Sequence, residues 1–427
     1  MDAALAGTLV VFAGAGISTE SRRAIGDTFA SGIAGEVGVE PGEVPSFATL
    51  MTKYEDRFGR RQLLQRIRAR FDYLKGFAEL QRAATRFHRE LLTAHFLDQI
   101  VTTNWDTYFE DFAGAIPIVI PDDYAFWDMP GRKVFKLHGS MHNLSTIVAT
   151  QADYTRCYRR LRTGTIGSSL KHLLATKRIV FVGYSFGDDD LSRILAFMRN
   201  EMDDVLPRSF VVTPHGYSGD VFPTDRVIRT DGAHFIRTMK RVAVEKGAMR
   251  PDSAYTVVAE LAERVSAARH RSVVKVRPHT DPAVIYTWSY QDGLLHALER
   301  ILALRSTGFY SAPSSVGGTI HTYDHARHGA IRTRNYWDAA YIEGYGNGLL
   351  ALELPPELVR QTPLYFVWGS DAPMLTFTEF VQDVRRAEHL HKTATRKAVA
   401  IVRSAGGYDP VHPPSLDMES LLEAARH

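Results

Sequence analysis

Thr8-Leu9-Val10-Val11-Phe12-Ala13-Gly14-Ala15-Gly16-Ile17-Ser18 decides how the rest of the chain reads. Its first six residues form a short apolar run rich in β-branched side chains, the pattern of a buried strand. Two glycines follow at once. Glycine permits a tight turn and a close approach of backbone to a diphosphate. Ser18 or Thr19 can then open a helix whose first N–H groups face an anion. The loop is half of a dinucleotide fingerprint, because Ser21-Arg22-Arg23 stands where a third glycine belongs. An acidic ribose-binding residue about 20 positions on is also missing. Alone, the segment fits a plain strand–turn–helix as well as a nucleotide site.

Three later segments repeat the arrangement. Gln99-Ile100-Val101-Thr102 reads as a strand ending in Thr103-Asn104-Trp105-Asp106. Val134-Phe135-Lys136-Leu137 reads as a strand followed by His138-Gly139. Arg178-Ile179-Val180-Phe181-Val182 precedes Gly183-Tyr184-Ser185-Phe186-Gly187, and Ser209–Thr213 reads as one more strand. The fold class expected is α/β, a Rossmann-like parallel sheet. In such sheets ligands bind outside the carboxyl ends of the strands, where all four loops fall. Asn104 and Asp106 also suit a turn or helix cap. A histidine at a strand end can be structural or an accessible base.

Together these segments resemble the sirtuin family: a Gly-Ala-Gly-x-Ser loop, Thr-x-Asn-x-Asp, His-Gly, and Gly-x-Ser, in that order over roughly residues 5 to 240. The resemblance implies a site for NAD+ and attack on the bond between nicotinamide and ribose. By it, Gly14, Ala15, Gly16 and Ser18 line the diphosphate. Asn104 and Asp106 face the nicotinamide and its ribose, with Thr103 beside them a cofactor-binding candidate, and His138 lies beside the ribose hydroxyls as base or orienter. Gly183 and Ser185 contact phosphate and ribose, and Thr213 is a further cofactor-binding candidate. Phe29 is a weak counterpart of the family's cofactor-loop phenylalanine.

Sirtuin deacylases carry two Cys-x-x-Cys pairs for structural zinc, and closed zinc sites need about four such ligands. The chain has one cysteine, Cys157. No zinc is expected, nor any other metal. Asp188-Asp189-Asp190 reads as a helix start favoured by the dipole, and the group His321, Asp324, His325 and His328 as a solvated or partner-facing loop. Residues about 30–98 read as an amphipathic helical insertion. The chain thus resembles zinc-free, NAD-hydrolysing sirtuin-like proteins of bacterial anti-phage defence. That implies catalytic roles for Asn104, Asp106 and His138, nicotinamide and ADP-ribose as products, a homo-oligomer, and a partner such as a ring-forming ATPase or DNA translocase. Alternatives are a zinc-free deacylase or ADP-ribosyltransferase, and a non-catalytic sensor of NAD or ADP-ribose.

The chain's 427 residues suggest two domains, and its formal net charge of +3 gives no footprint for nucleic acid. The basic cluster Arg269, Arg271, Lys275 and Arg277 reads as a solvated linker. Met1-Asp2-Ala3-Ala4 lacks a signal-peptide pattern, and no apolar run approaches the roughly 20 residues of a membrane span, so cytoplasm is expected and a membrane is not. The sirtuin-like domain is expected over residues 1–268, then a boundary near 268–283. A C-terminal domain over 283–427, for oligomerisation, regulation or partner binding, reads as α/β or α+β. Its expected strands are Pro363–Trp368 and Lys397–Val402.

Overall fold

The structure, a computed structural model, describes residues 1–18, 28–39, 45–184, 189–202, 207–214 and 226–405. Two compact units divide at Glu245/Lys246.

The first unit is built on a parallel sheet. Its strands are β1 (Leu9–Ala13), β2 (Gln99–Thr102), β3 (Ile116–Ile118), β4 (Lys133–Lys136), β5 (Arg178–Val182), β6 (Phe210–Thr213) and β7 (Val227–Arg229). Their spatial order is β3-β4-β2-β1-β5-β6-β7, parallel throughout. β1 is central, and every one of its residues is buried. Burial on both faces is why it reads as an unbroken apolar run rather than an alternation. Val10 and Phe12 face a core with Cys157, Leu161, Leu170 and Leu173 of helices Gln151–Thr163 and Thr165–Thr176. On the opposite face, Gly232 of helix Gly232–Glu245 lies against Val182 and Phe87. From β1 the chain builds outward in both directions, and the crevice at that switch point opens at the strands' carboxyl ends.

The sheet is also held at its other end. Arg132, just before β4, is buried. Its guanidinium donates to the carbonyls of Leu97 (2.7 Å), Ala113 (2.5 Å), Leu91 and Ala94 (2.9 Å each). Burial lowers its pKa to about 10. One planar group thereby ties several connecting segments to the strand's start.

Between β1 and β2 lie helices Phe29–Val37, Phe47–Phe58, Arg60–Lys75, Ala78–Ala84 and Arg86–Leu92. Ser46 caps the second by accepting from the Thr49 amide. Ile33, Leu50, Met51, Leu63 and Ile67 form a small core of their own against Ile147 and Ala149. Arg60 fastens it by donating to Asp153 Oδ2 (2.6 Å) and the Ile147 carbonyl (2.7 Å).

The second unit, described to residue 405, corrects several sequence expectations. It is helical, with one isolated bridge, Tyr365 to Met374, among the described residues. The expected strand Lys397–Val402 lies inside helix Lys392–Ser404, where Ala394, Ala398 and Val402 are buried at four-residue spacing. The stretch read as a histidine-rich loop is helical over Gly317–Arg332 and Tyr336–Leu350. The division also falls ahead of the expected 268–283. Helix Asp252–Lys275 sends Tyr255, Val258, Leu261 and Val265 into the core of the second unit. Arg269 of the supposed linker instead pairs with Asp292 at 3.0 Å and lies over Trp288. Helices Val284–Leu304 and Tyr336–Leu350 pack backbone to backbone: a Cβ on Gly293 would meet the Tyr341 carbonyl at 2.0 Å, and one on Gly344 the Tyr290 carbonyl at 1.9 Å.

His88 gives the first unit a pH dependence. It is fully buried beside Phe87, Tyr108 and Phe109, with neither ring nitrogen hydrogen-bonded among the described residues. Burial first, and the Lys136 charge second, lower its pKa to about 3. The unfolded chain therefore takes up a proton below about pH 6.5 that the folded protein refuses, and stability falls as pH drops toward 3. His88→Phe should remove this term, making the variant more stable relative to wild type at pH 5 than at pH 8 by about 2 kcal/mol. Urea unfolding at the two pH values measures it; an unchanged difference would count against the assignment.

Candidate active site

The loops after β1 and β5 meet backbone to backbone. The Gly14 amide donates to the Val182 carbonyl (2.9 Å), and the Gly16 amide to the Gly183 carbonyl (2.8 Å). A Cβ on Gly14 or Gly16 would come within 2.7 Å of Gly183 O. Gly183 adopts φ +62°, and a Cβ there would stand 2.6 Å from the Ile17 amide nitrogen. These glycines are thus required by each other.

The β2 loop locks onto this pair. Thr102 Oγ1 donates to the Ala13 carbonyl (2.9 Å) and accepts from the Asn104 amide (3.0 Å). Asn104 Nδ2 then donates to Gly14 O and Ser18 Oγ, each at 3.2 Å. Its Oδ1 is buried with no hydrogen-bond partner among the described residues. Asp106 is also buried, and its Oδ1 accepts from the Tyr108 amide at 3.1 Å. Burial pushes its carboxyl above the usual range; Lys136, the Tyr108 amide and Ser18 pull the other way.

β4 delivers His138. The next residue, Gly139, has φ +88°, and a Cβ there would meet Thr146 O at 2.2 Å. The Val148 amide donates to the His138 carbonyl (3.0 Å), and the imidazole meets the Tyr154 ring edge-on at 5.1 Å. Burial, reinforced by Arg160, lowers the His138 pKa to about 3. The ring is neutral at physiological pH and suits an acceptor or orienter, not a proton donor.

A cavity of about 690 Å³ opens between these loops and the helical insertion, inside the range of roughly 300–1,000 Å³ usual for small-molecule sites. Its polar side carries Ala15, Gly16, Ser18, Thr103, Asn104, Asp106, His138 and Gly183, all candidates from sequence. Phe29 lines it as well. Gly14 supports the loop from behind, and Thr213 at the end of β6 is outside the lining. Ser185 lies outside the described residues. Sequence reading missed the apolar side: Phe47, Ile67, Phe71 and Leu74 of the insertion, with Trp105 and Tyr184. Phe47 stands 5.8 Å from Trp105 and 6.5 Å from Phe29, ring centre to ring centre. The signal was present as amphipathic spacing, which reports burial but not what the buried face encloses. Among the described residues no three His, Cys, Asp or Glu side chains cluster as metal ligands, and no helix is long and apolar enough to cross a membrane.

Residues 98–236 match the SIR2-like domain. The chain is 28% identical over 201 residues to the NAD(+) hydrolase ThsA of Enterococcus faecium, covering 45% of this chain and 40% of that protein. It is 30% identical over 196 residues to the NAD(+) hydrolase ThsA of Cytobacillus dafuensis, covering 44% and 37%. The chain thus spans about two-fifths of the length of these curated relatives. The first unit carries a SIR2-like domain on a Rossmann-like sheet.

The interlocked glycines make a direct prediction. Gly38 also has positive φ, +72°, but a Cβ there meets nothing within 4 Å. Gly38→Ala should cost about 1–2 kcal/mol, the left-handed backbone penalty alone. Gly183→Ala should cost more, because the Ile17 backbone must also move. Equal losses in thermal unfolding would mean that the loop contact adds nothing.

Proposed function

We propose that the first unit hydrolyses NAD+ at the bond between nicotinamide and ribose, releasing nicotinamide and ADP-ribose. The observation that carries this reading is that Asn104, Asp106 and His138 line one cavity beside a glycine loop at the sheet's switch point. The likeness to proteins named NAD(+) hydrolases supports it.

As the carbon–nitrogen bond breaks, positive charge grows on the ribose and the electron pair leaves with nicotinamide. Fixed dipoles and charges in a dry pocket stabilise such charge without reorganising. The buried Asn104 Oδ1 is an acceptor already in place, its amide held by Gly14 and Ser18. The Asp106 carboxyl is the acidic group of the polar side. Water adds to the ribose carbon, and neutral His138 accepts its proton or orients a ribose hydroxyl. The aromatic side gives flat rings apolar surface and keeps bulk water out. We further infer that dinucleotide loss serves bacterial anti-phage defence, with the second unit holding an oligomer or a partner; a phage challenge that an Asn104→Ala strain survives as well as the wild type would remove that role.

Purified protein incubated with NAD+ should release nicotinamide and ADP-ribose in equal amounts, followed by chromatography. Asn104→Ala should lower release by about 10²-fold or more, and His138→Gln by roughly 10²–10⁴-fold. Transfer to water must exceed transfer to an acyl-lysine peptide; the reverse would make the protein a deacylase.

The state of His138 can be read separately. With its pKa near 3, the imidazole should remain neutral from pH 8 down to pH 5 in nitrogen-15 NMR of the folded protein. A midpoint near 6.5 would contradict the buried, neutral base.

A further inference from the structure

Lys136, the last residue of β4, has no exposed surface at all. A buried ammonium is costly unless it is paired and hydrogen-bonded. Its Nζ donates to two groups, the backbone carbonyl of Asp106 and Glu110 Oε1, the latter at 2.9 Å. Glu110 belongs to helix Tyr108–Ala113, which begins just after Asp106. Glu110 Oε2 is buried without a partner among the described residues. The ammonium therefore lies behind the Asn104–Asp106 turn, two residues before His138 in sequence, and ties β4 to the loop after β2.

We propose that Lys136 is the positioning residue of this site: its ammonium fixes the backbone of the Asp106 turn and sets a positive charge beside the buried Asp106 carboxyl. The proposal rests on reading the cavity as a hydrolytic site. The groups around Asp106 come from four elements. Ser18 hydrogen-bonds it from the loop after β1, and the Tyr108 amide from the following helix. Lys136 approaches from β4, and Glu110 is the second acid sharing that ammonium. His88, from helix Arg86–Leu92, faces Lys136 as a neutral ring. Among the influences that oppose burial at Asp106, Lys136 is the largest, ahead of the Tyr108 amide and Ser18. Without it the carboxyl takes up a proton at higher pH, and the turn loses the donor on its carbonyl.

Three variants separate this role from simple support of the fold. Glu110→Gln leaves the ammonium directed at Asp106 and should keep wild-type turnover and pH profile. Lys136→Met alone strands a buried Glu110 charge, which confounds loss of folding with loss of positioning. Lys136→Met/Glu110→Gln removes both charges together and is the decisive protein. Its nicotinamide release at pH 7 should fall about 10-fold or more, in kcat rather than KM, and the acid limb of kcat/KM should move up by about one pH unit or more. A loss uniform across pH, or an unchanged profile, overturns the proposal. Absence of release from the wild type would instead defeat the hydrolase reading. In that case carbon-13 NMR of labelled aspartate, with Asp106→Asn as the assignment control, still decides: Asp106 should titrate higher in the double variant, and an identical titration overturns the proposal.

Discussion

The contact between the β1 and β5 loops is the constraint on which the site depends. Backbone meets backbone there, with the Gly16 amide on the Gly183 carbonyl and no room for a Cβ on either side. Parallel pairing of β1 with β5 brings Ala13 level with Val182, so the two loops leave the sheet at one height and must meet. Asn104 then has a fixed carbonyl to donate to, at Gly14. The glycine loop is therefore a structural joint first. Any ligand that meets it does so on a surface that packing has already shaped.

The central strands were legible because burial on both faces leaves an uninterrupted apolar run, as in Val10–Ala13 and Ile179–Val182. The edge strands were not. Ile116-Pro117-Ile118 and Val227-Ile228-Arg229 are too short to rise above neighbouring loops, and a proline sits in the first. Lys397–Val402 misled for a related reason. Six residues of mostly apolar character fit a buried strand and a helix face equally, and only the longer four-residue spacing of Ala394, Ala398 and Val402 separates them. The close helix crossing at Gly293 and Gly344 left a sequence signal of glycines inside apolar helices, which reads as helix-breaking until a partner is known.

The polar half of the site was readable because its residues follow strands, and strand ends share one edge of the sheet. Its apolar half comes from helices whose sequence distance from that edge carries no such rule. Lys136 hid differently. It stands in the run Val134–Leu137 that reads as a strand, a pattern that does not say where its ammonium goes, and its side chain is wholly buried. A charged residue in a central strand calls for a partner, and Glu110 lies 26 residues earlier, on a helix that sequence does not bring to it.

The cavity has two origins, and they are separable stretches of chain. The residues proposed to bear on bond breaking stand at strand ends, where the sheet fixes their spacing. Phe47, Ile67, Phe71 and Leu74 belong to a helical insertion with its own small core, fastened to the sheet region through Arg60. Changes in the length or composition of that insertion redraw the shape of the cavity while leaving the strand-end residues where they are. Selectivity and chemistry can therefore drift at different rates in such a protein, and a new ligand can be accommodated by remodelling one segment between two strands.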